Sequence, residues 1–271
     1  MATKTILLDV GGTFIKCSDG RAVHTDSSGT REKISEALRK AVGPLEGLAG
    51  IGVAMPGPFD YTNGTFLMTH KFASVYGERF ADLVLPPDYP DPPVFRFAHD
   101  VAIMLEGAIR MLGLRDTNVA MVTLGTGLGF CHAIGGVVQY SLSGSPAFSL
   151  WNQPTPGGGI LEDRISARGI SAEYARKSGR ANLSPRQIAD LAFSGDVRAI
   201  DTYAFVGKIL GENIRNILNM MGIKTLLMGG QISSSLGLML APLQKAIPDV
   251  RIKHVPGGAV FHGLSALFET K

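Results

Sequence analysis

Apolar positions along this chain follow two periods, and the switches between them outline its elements. Short apolar runs that read as buried strands are Ile6-Leu7-Leu8, Ile51-Gly52-Val53-Ala54-Met55, Val94-Phe95-Arg96-Phe97, Val119-Ala120-Met121-Val122, Lys224 to Met228 and Val250 to His254. Between them, apolar residues recur at helical spacing and mark helices with one buried face. Ile34, Leu38 and Val42 share a face of a helix that opens at Thr30-Arg-Glu-Lys33 and that Gly43-Pro44 stops. Asp100 starts another, with Val101, Met104, Leu105, Ala108 and Leu112 as its apolar face. Ser184-Pro185 is an N-cap followed by proline at the first helical position. A long helix is predicted from about Asp196 to Met221, another after Gly229-Gly230-Gln231 and a last one after Gly257-Gly258.

Asn63-Gly64 predicts a type I′ hairpin, because both central positions of that turn want φ > 0. Leu85 to Pro93 and Ser141 to Gly159 are rich in Pro, Gly or Ser and read as loops. Strands alternating with helices in both halves predict an α/β chain with mixed sheets. The expected division is a first lobe, 1–113, and a second, 114–256, with the last helix (257–271) a candidate to return to the first lobe.

Two strand pairs carry the most specific pattern. Asp9-Val10-Gly11-Gly12-Thr13-Phe14-Ile15-Lys16-Cys17 and Thr123-Leu124-Gly125-Thr126-Gly127-Leu128-Gly129-Phe130-Cys131 each read strand, tight turn, strand. They align position for position, down to the only two cysteines. Gly-rich hairpin turns expose backbone N–H groups and tolerate positive φ, so they can hold oxyanions closely. Two of them suggest a duplicated unit whose halves face each other across a phosphate chain, as in a nucleotide-dependent phosphotransferase. A dinucleotide fingerprint does not fit, since Phe130-Cys131-His132-Ala133 continues as strand instead of opening a helix. Gly207-Lys208 is followed by Ile209 and is no Walker A run.

Asp9, at a strand end, could hold Mg²⁺ directly or through water, while Thr13 and the amides of Gly11 and Gly12 contact phosphate oxygens. An ordinary turn aspartate is the competing reading. Asp100 lies at a strand–helix junction, where the helix N-terminus favours its ionised form. A carboxylate there can accept a hydroxyl proton as the oxygen attacks a γ-phosphorus; a simple N-cap is the alternative. Glu162, after Gly157-Gly158-Gly159, could accept hydrogen bonds from substrate hydroxyls, although first-turn acids also occur for dipole reasons alone. Met228-Gly229-Gly230-Gln231 could flank an adenine or ribose, or be a plain strand-to-helix turn. His70, His99 and His132 lack metal-ligand spacing.

Composition narrows the partners. The 271 residues suffice for one large domain or two modest ones. The net charge of +3 is scattered, with no basic stripe and no helix-turn-helix extension, so nucleic acid is not expected as a partner. Two distant cysteines make no disulfide framework and suit a reducing cytosol. No signal-peptide pattern precedes Asp9, and no apolar run approaches the roughly 18 residues of a membrane span. A cytoplasmic protein without membrane contact is the expectation.

Together these residues resemble the ROK family of sugar kinases and repressors, in the actin/hexokinase/Hsp70 superfamily, over nearly the whole chain. Leu8 to Thr13 with Lys16 is similar to the family's first phosphate motif, and Leu124 to Gly129, with Gly125, Thr126 and Gly127, to its second. Met228 to Ser233, with Gly229, Gly230 and Gln231, resembles the adenosine motif. Gly52 to Pro58, including Gly57, resembles the loop leading to the sugar site. Asp100 takes the place of the catalytic aspartate, and Leu161-Glu162-Asp163 with Ile165-Ser166 resembles the segment carrying a sugar-binding glutamate.

The resemblance implies two lobes of duplicated ribonuclease-H-like, actin-like ATPase topology with a nucleotide cleft between them. It further implies ATP as co-substrate, Mg²⁺, a sugar or sugar-like acceptor, and a homodimer as the candidate assembly. His70, Lys71, His99, Asp100 and Glu162 would line the acceptor pocket. There the chain departs from the family. His99 stands where an asparagine usually precedes the aspartate, and another sugar-contacting asparagine is replaced near His70-Lys71. The Glu-x-Gly-His element expected within Ser143 to Asn152 is absent, and Pro154 to Gly159 replaces the zinc-binding Cys run, so no zinc site is implied. A site that selects by hydrogen bonds to particular hydroxyls changes its substrate when those bonds are lost. A non-catalytic sugar or nucleotide sensor on the same fold, and a polyphosphate-dependent kinase, are the alternatives.

Overall fold

Two five-stranded sheets with the same strand order frame the chain, in a computed structural model that describes residues 4–155 and 158–269. One compact unit comprises residues 4–113, 140–146 and 256–269; the other comprises 114–139, 147–155 and 158–255.

The first unit runs β1 (Lys4–Val10), β2 (Phe14–Cys17), β3 (Ala22–His24), α1 (Arg31–Val42), β4 (Leu48–Met55), β5 (Phe59–Asp60), β6 (Thr65–Phe66), α2 (Phe80–Val84), β7 (Val94–His99) and α3 (Asp100–Leu112). Its sheet has the order β3-β2-β1-β4-β7, antiparallel on the β2 side of β1 and parallel from β1 through β4 to β7. The second unit runs β8 (Val119–Leu124), β9 (Leu128–Ile134), β10 (Val137–Val138), α4 (Leu161–Ile165), α5 (Ala167–Ser178), α6 (Pro185–Phe193), α7 (Val197–Met220), β11 (Thr225–Gly229), α8 (Leu236–Ala246) and β12 (Arg251–His254). Its order, β10-β9-β8-β11-β12, repeats the first, with the antiparallel hairpin and the parallel pairs in equivalent places. The final helix, α9 (Ala259–Ala266), belongs to the first unit.

Local chemistry accounts for the element ends. Thr30 caps α1 by accepting the Lys33 N–H, and Gly43 at φ 78° lets the chain leave it. Ser184 and Gln187 form a reciprocal capping box on α6, and Asp196 caps α7 through the Ala199 N–H. Strand alternation then sorts β1 between two layers. Ile6, Leu8 and Val10 pack with Ile34 and Leu38 of α1, whereas Leu7 faces Ile103, Val260 and Leu264 of α3 and α9. Full burial of a leucine such as Leu38 contributes about 1.5–3 kcal/mol. The second core gathers Val122, Leu124, Tyr174, Tyr203, Leu210 and Met228 around β8, β11 and α7. No helix among the described residues is long and apolar enough to cross a membrane.

Three details differ from the sequence reading. The Asn63-Gly64 turn is not type I′. Asp60 faces Thr65 across Tyr61–Gly64, and only Gly64 has positive φ, at 73°. The Asp60 carboxylate accepts from the Thr62 and Asn63 N–H groups and from Asn63 Nδ2, shaping a longer turn. Nor do the two Gly-rich hairpins match position for position. Val10 faces Ile15 in one and Leu124 faces Leu128 in the other, so the first turn holds one residue more. Finally, Tyr140–Pro146, read from the sequence as part of the second lobe, packs with the first unit. The Tyr140 hydroxyl donates to Glu106 Oε1 on α3 at 2.7 Å, and the Tyr61 ring lies against Gly144.

Candidate functional site

Strands β1, β4 and β7 are parallel neighbours, and register sets what stands at their carboxyl ends. Asp9 faces Ala54, and Met55 faces His99. Asp9, the Pro56-Gly57 bend and the His99-Asp100 junction therefore come side by side along the edge formed by the carboxyl ends of these strands. Loops at that edge are where open α/β sheets bind ligands.

The two carboxylates there have opposite environments. Burial pushes the Asp9 carboxyl above its ordinary range, the Asp100 charge adds to this, and Lys16 offsets only part of it. Lys16 is the cross-hairpin partner of Asp9, with Nζ 3.7 Å from Oδ2. Burial also acts upward on Asp100. His99 outweighs it, helped by the Val101 amide and by Lys71, and the Asp100 carboxyl is held below its ordinary range. His99 Nδ1 is 3.0 Å from Asp100 Oδ1, although the ring is turned so that no N–H points squarely along that line. The Val101 N–H donates to the same oxygen at 2.8 Å. The Asp100 side chain keeps 30% of its surface open. It is an ionised carboxylate, partly open to solvent, at a helix N-terminus.

The first turn leaves two backbone amides free. Its carbonyls are tied back, Gly12 O accepting from Ser27 N–H and Thr13 O from Thr25 N–H. Gly11 N–H closes the turn on Phe14 O at 2.9 Å, which leaves the Gly12 and Thr13 N–H groups without an acceptor among the described residues. Successive free amides form a concavity for oxyanions. The second turn repeats the device. Gly125 N–H closes on Gly127 O, Gly125 O accepts from Ala167 N–H, and the Thr126 and Gly127 amides are free among the described residues. None of Gly11, Gly12, Gly125 and Gly127 has positive φ, contrary to the conformational role expected of them. At Gly11 glycine is needed for room, since a Cβ would lie 2.9 Å from the backbone Phe14 O, whereas at Gly127 a Cβ would meet only the carboxylate end of the Glu162 side chain, at 2.9 Å.

Glu162, offered by the sequence as an acceptor contact, has both oxygens engaged. Oε2 accepts the Leu128 N–H at 2.9 Å and Oε1 lies 3.0 Å from Arg168, which also pairs with Asp163. Its carboxylate braces the second turn. Beside that turn Gly229 faces Thr123, and Gly230, at φ 82°, lies so close to β8 that a Cβ would stand 2.3 Å from Leu124 O. Gln231 then opens a 3₁₀ turn, exposed to solvent. Gly157 lies outside the described residues.

Around Gly57 the structure adds two residues that no motif marks. A Cβ on Gly57 would lie 3.4 Å from the Tyr61 hydroxyl, 3.5 Å from Ser145 Oγ and 3.6 Å from His99 Cδ2. The Tyr61 hydroxyl donates to Met55 O, and burial together with the Asp100 charge pushes its phenol far above the ordinary range. Tyr61 sits in a turn and Ser145 in a Ser/Gly/Pro-rich loop, where spacing carries no signal. His70 is exposed and makes no hydrogen bond or ion pair among the described residues, whereas Lys71 is half-buried with its methylenes over Gly12. Among the described residues no group of three His, Cys, Asp or Glu side chains could hold a metal ion.

Comparison with known proteins gives one family and one fold. The model of the ROK family matches residues 3–260. No relative among curated proteins matches the chain. A ROK family glucokinase from Streptomyces griseus, solved with glucose and AMPPNP, superposes with a TM-score of 0.78 at 21% identity, covering 97% of this chain and 98% of that one. A ROK hexokinase from Thermus thermophilus gives 0.71 at 18% identity, covering 97% of each. An inorganic polyphosphate/ATP-glucomannokinase from Arthrobacter sp. strain KM gives 0.63 at 18% identity, again covering 97% of each. The fold is thus the mixed α/β fold of the ROK kinases, in keeping with the duplicated actin-like topology expected from the sequence.

Proposed function

The chain belongs to the ROK family, and from that premise we propose that it is a kinase transferring the γ-phosphoryl group of ATP to a hydroxyl of a sugar or sugar-like small molecule. One observation carries the reading. A turn with two unclaimed amides and an ionised, reachable carboxylate, Asp100, stand at the same end of one mixed sheet, after its parallel strands β1 and β7. That supplies a phosphate seat and a proton acceptor, the two parts such a transfer requires. The glucokinase solved with glucose and AMPPNP supports the same pair of ligand classes.

In the first unit, the Gly11, Gly12 and Thr13 turn receives phosphate oxygens and Lys16 adds positive charge. Asp100 accepts the proton of the acceptor hydroxyl as its oxygen attacks phosphorus. In the second unit, Gly125, Thr126 and Gly127 bind phosphate, and Gly229, Gly230 and Gln231 flank the nucleoside. Gly57, His70 and His99, joined by Tyr61 and Ser145, contact the acceptor.

Magnesium fits the residues present. It binds through one or two carboxylates together with phosphates and water, so it needs no three-ligand cage. Two mutually repelling carboxylates at one edge provide such a place, and Asp9 would hold the ion directly or through water. When bound, it would neutralise phosphate charge. The protein acts in the cytoplasm, as a homodimer, on this reading.

The test is ADP release across pentoses, hexoses, amino sugars and polyols, with ATP and polyphosphate as competing donors. At least one acceptor is expected to raise the rate well above the acceptor-free background with ATP. No response to any acceptor, with nucleotide still bound, would instead favour a sensor. Faster transfer from polyphosphate would change the donor.

Glu162 gives a separate prediction. Glu162→Ala removes a charged acceptor from the Leu128 N–H and is expected to cost about 1.5–3 kcal/mol of stability. ADP affinity should fall with it. A normal melting temperature with a raised acceptor KM would return Glu162 to the acceptor pocket.

A further inference from the structure

We propose that Lys71 is a phosphoryl-binding residue, its ammonium receiving the terminal phosphate of the donor above the Gly11–Thr13 turn. The assignment rests on the kinase reading and goes beyond the acceptor contact that the sequence suggests for this position.

Placement is the first reason. Lys71 Cδ and Cε both lie 3.9 Å from where a Cβ of Gly12 would stand, so the side chain crosses the turn whose amides are free. A chain of backbone hydrogen bonds holds it there: Phe72 N–H donates to Ser27 O at 2.6 Å, and Ser27 N–H donates to Gly12 O at 3.1 Å. The Phe72 ring is fully buried, 5.7 Å from that of Phe66, and anchors the segment. Its backbone adopts φ 53°, a left-handed conformation that a bulky residue takes only where its surroundings enforce it.

Charge is the second reason. Lys71 is near enough to Asp100 to favour its ionised form, yet it makes no ion pair or hydrogen bond among the described residues. A half-buried lysine beside two free amides, in no ion pair among the described residues, is arranged for an incoming anion. Charge-assisted bonds are roughly twice as strong as neutral ones. A phosphate therefore gains more from this lysine than a neutral hydroxyl would. The transferring group acquires its charge distribution between the turn and Asp100, where a fixed cation acts most strongly.

The step balances without proton loss from Lys71. The acceptor oxygen forms its bond to phosphorus and its proton passes to Asp100. The bond to the bridging oxygen breaks, and its electron pair leaves on ADP. Lys71 stays protonated throughout.

The experiment compares ADP with AMPPNP, with magnesium, on the wild-type chain and on Lys71→Met, Lys71→Gln and Lys71→Arg. Lys71→Met is expected to weaken AMPPNP about tenfold or more, to leave ADP within about twofold, and to lower turnover about 10²–10³-fold; Lys71→Arg should recover part of each. Unchanged ADP binding also shows that the variant is folded, and Lys71→Gln is read the same way should Lys71→Met not fold. Equal AMPPNP affinity in variant and wild type, with only the acceptor KM raised, overturns the assignment and leaves the kinase reading standing. Wild-type protein that binds neither nucleotide overturns both.

Discussion

Asp100→Asn is expected to lower turnover by roughly two to four powers of ten while leaving ADP affinity and melting temperature nearly unchanged. The amide is close to isosteric with the carboxylate. Its oxygen can still accept the Val101 N–H, so the start of α3 keeps its local bond. On the proposed mechanism, what disappears is the site that takes the hydroxyl proton. The carboxylate's favourable interaction with the helix N-terminus is lost as well, but that is worth only about 0.3–1 kcal/mol. Catalytic and structural effects therefore separate cleanly at this position. ADP release with the best acceptor from the sugar panel is the measurement. A rate equal to wild type would remove Asp100 from the mechanism.

Alanine at Gly107 or Gly263 is expected to destabilise the first unit by about 3 kcal/mol. A Cβ on Gly107 would lie 1.8 Å from Ala259 O, and one on Gly263 would lie 2.0 Å from Ile103 O. Backbone meets backbone where α3 crosses α9, so no flexible side chain can give way. Alanine improves helix propensity by about 1 kcal/mol over glycine, which is too little to offset the overlap. Gly237, in α8, has nothing within 4 Å of its Cβ position and is the control; alanine there should be neutral or slightly stabilising. Thermal unfolding distinguishes them, with a loss of several degrees expected at Gly107 and none at Gly237. Unchanged melting of both α3 and α9 variants would mean that the helices do not approach so closely. Because α3 carries Asp100 at its first position, a shift of this helix should also reduce turnover.

These two residues mark the boundary of what could be read from the string. Asp100 announces itself by position, as an acid after a short apolar run and before a helical period. Gly107 gives no signal, since a glycine inside a helical pattern merely weakens it. Glu162 is intermediate. Its place at a helix start is legible, but the two partners that occupy its oxygens come from Leu128 and Arg168, and Leu128 is 34 positions away. Asn63-Gly64 shows how a strong local signal can be overridden. Asp60, three residues before Asn63, supplies a side-chain acceptor that reshapes the turn.

By itself the sequence determined the alternation of strands and helices, the helix caps, the two glycine turns and the family. All of these are written in stretches of about ten residues or fewer, where periodicity and turn chemistry operate. Only tertiary structure decided that Lys71 crosses Gly12, that Glu162 braces the second turn, that Tyr140–Pro146 packs with the first unit, and that α3 and α9 meet at glycine. Each of these joins distant segments of chain, and each depends on how whole backbones pack, a quantity that no short window of residues contains.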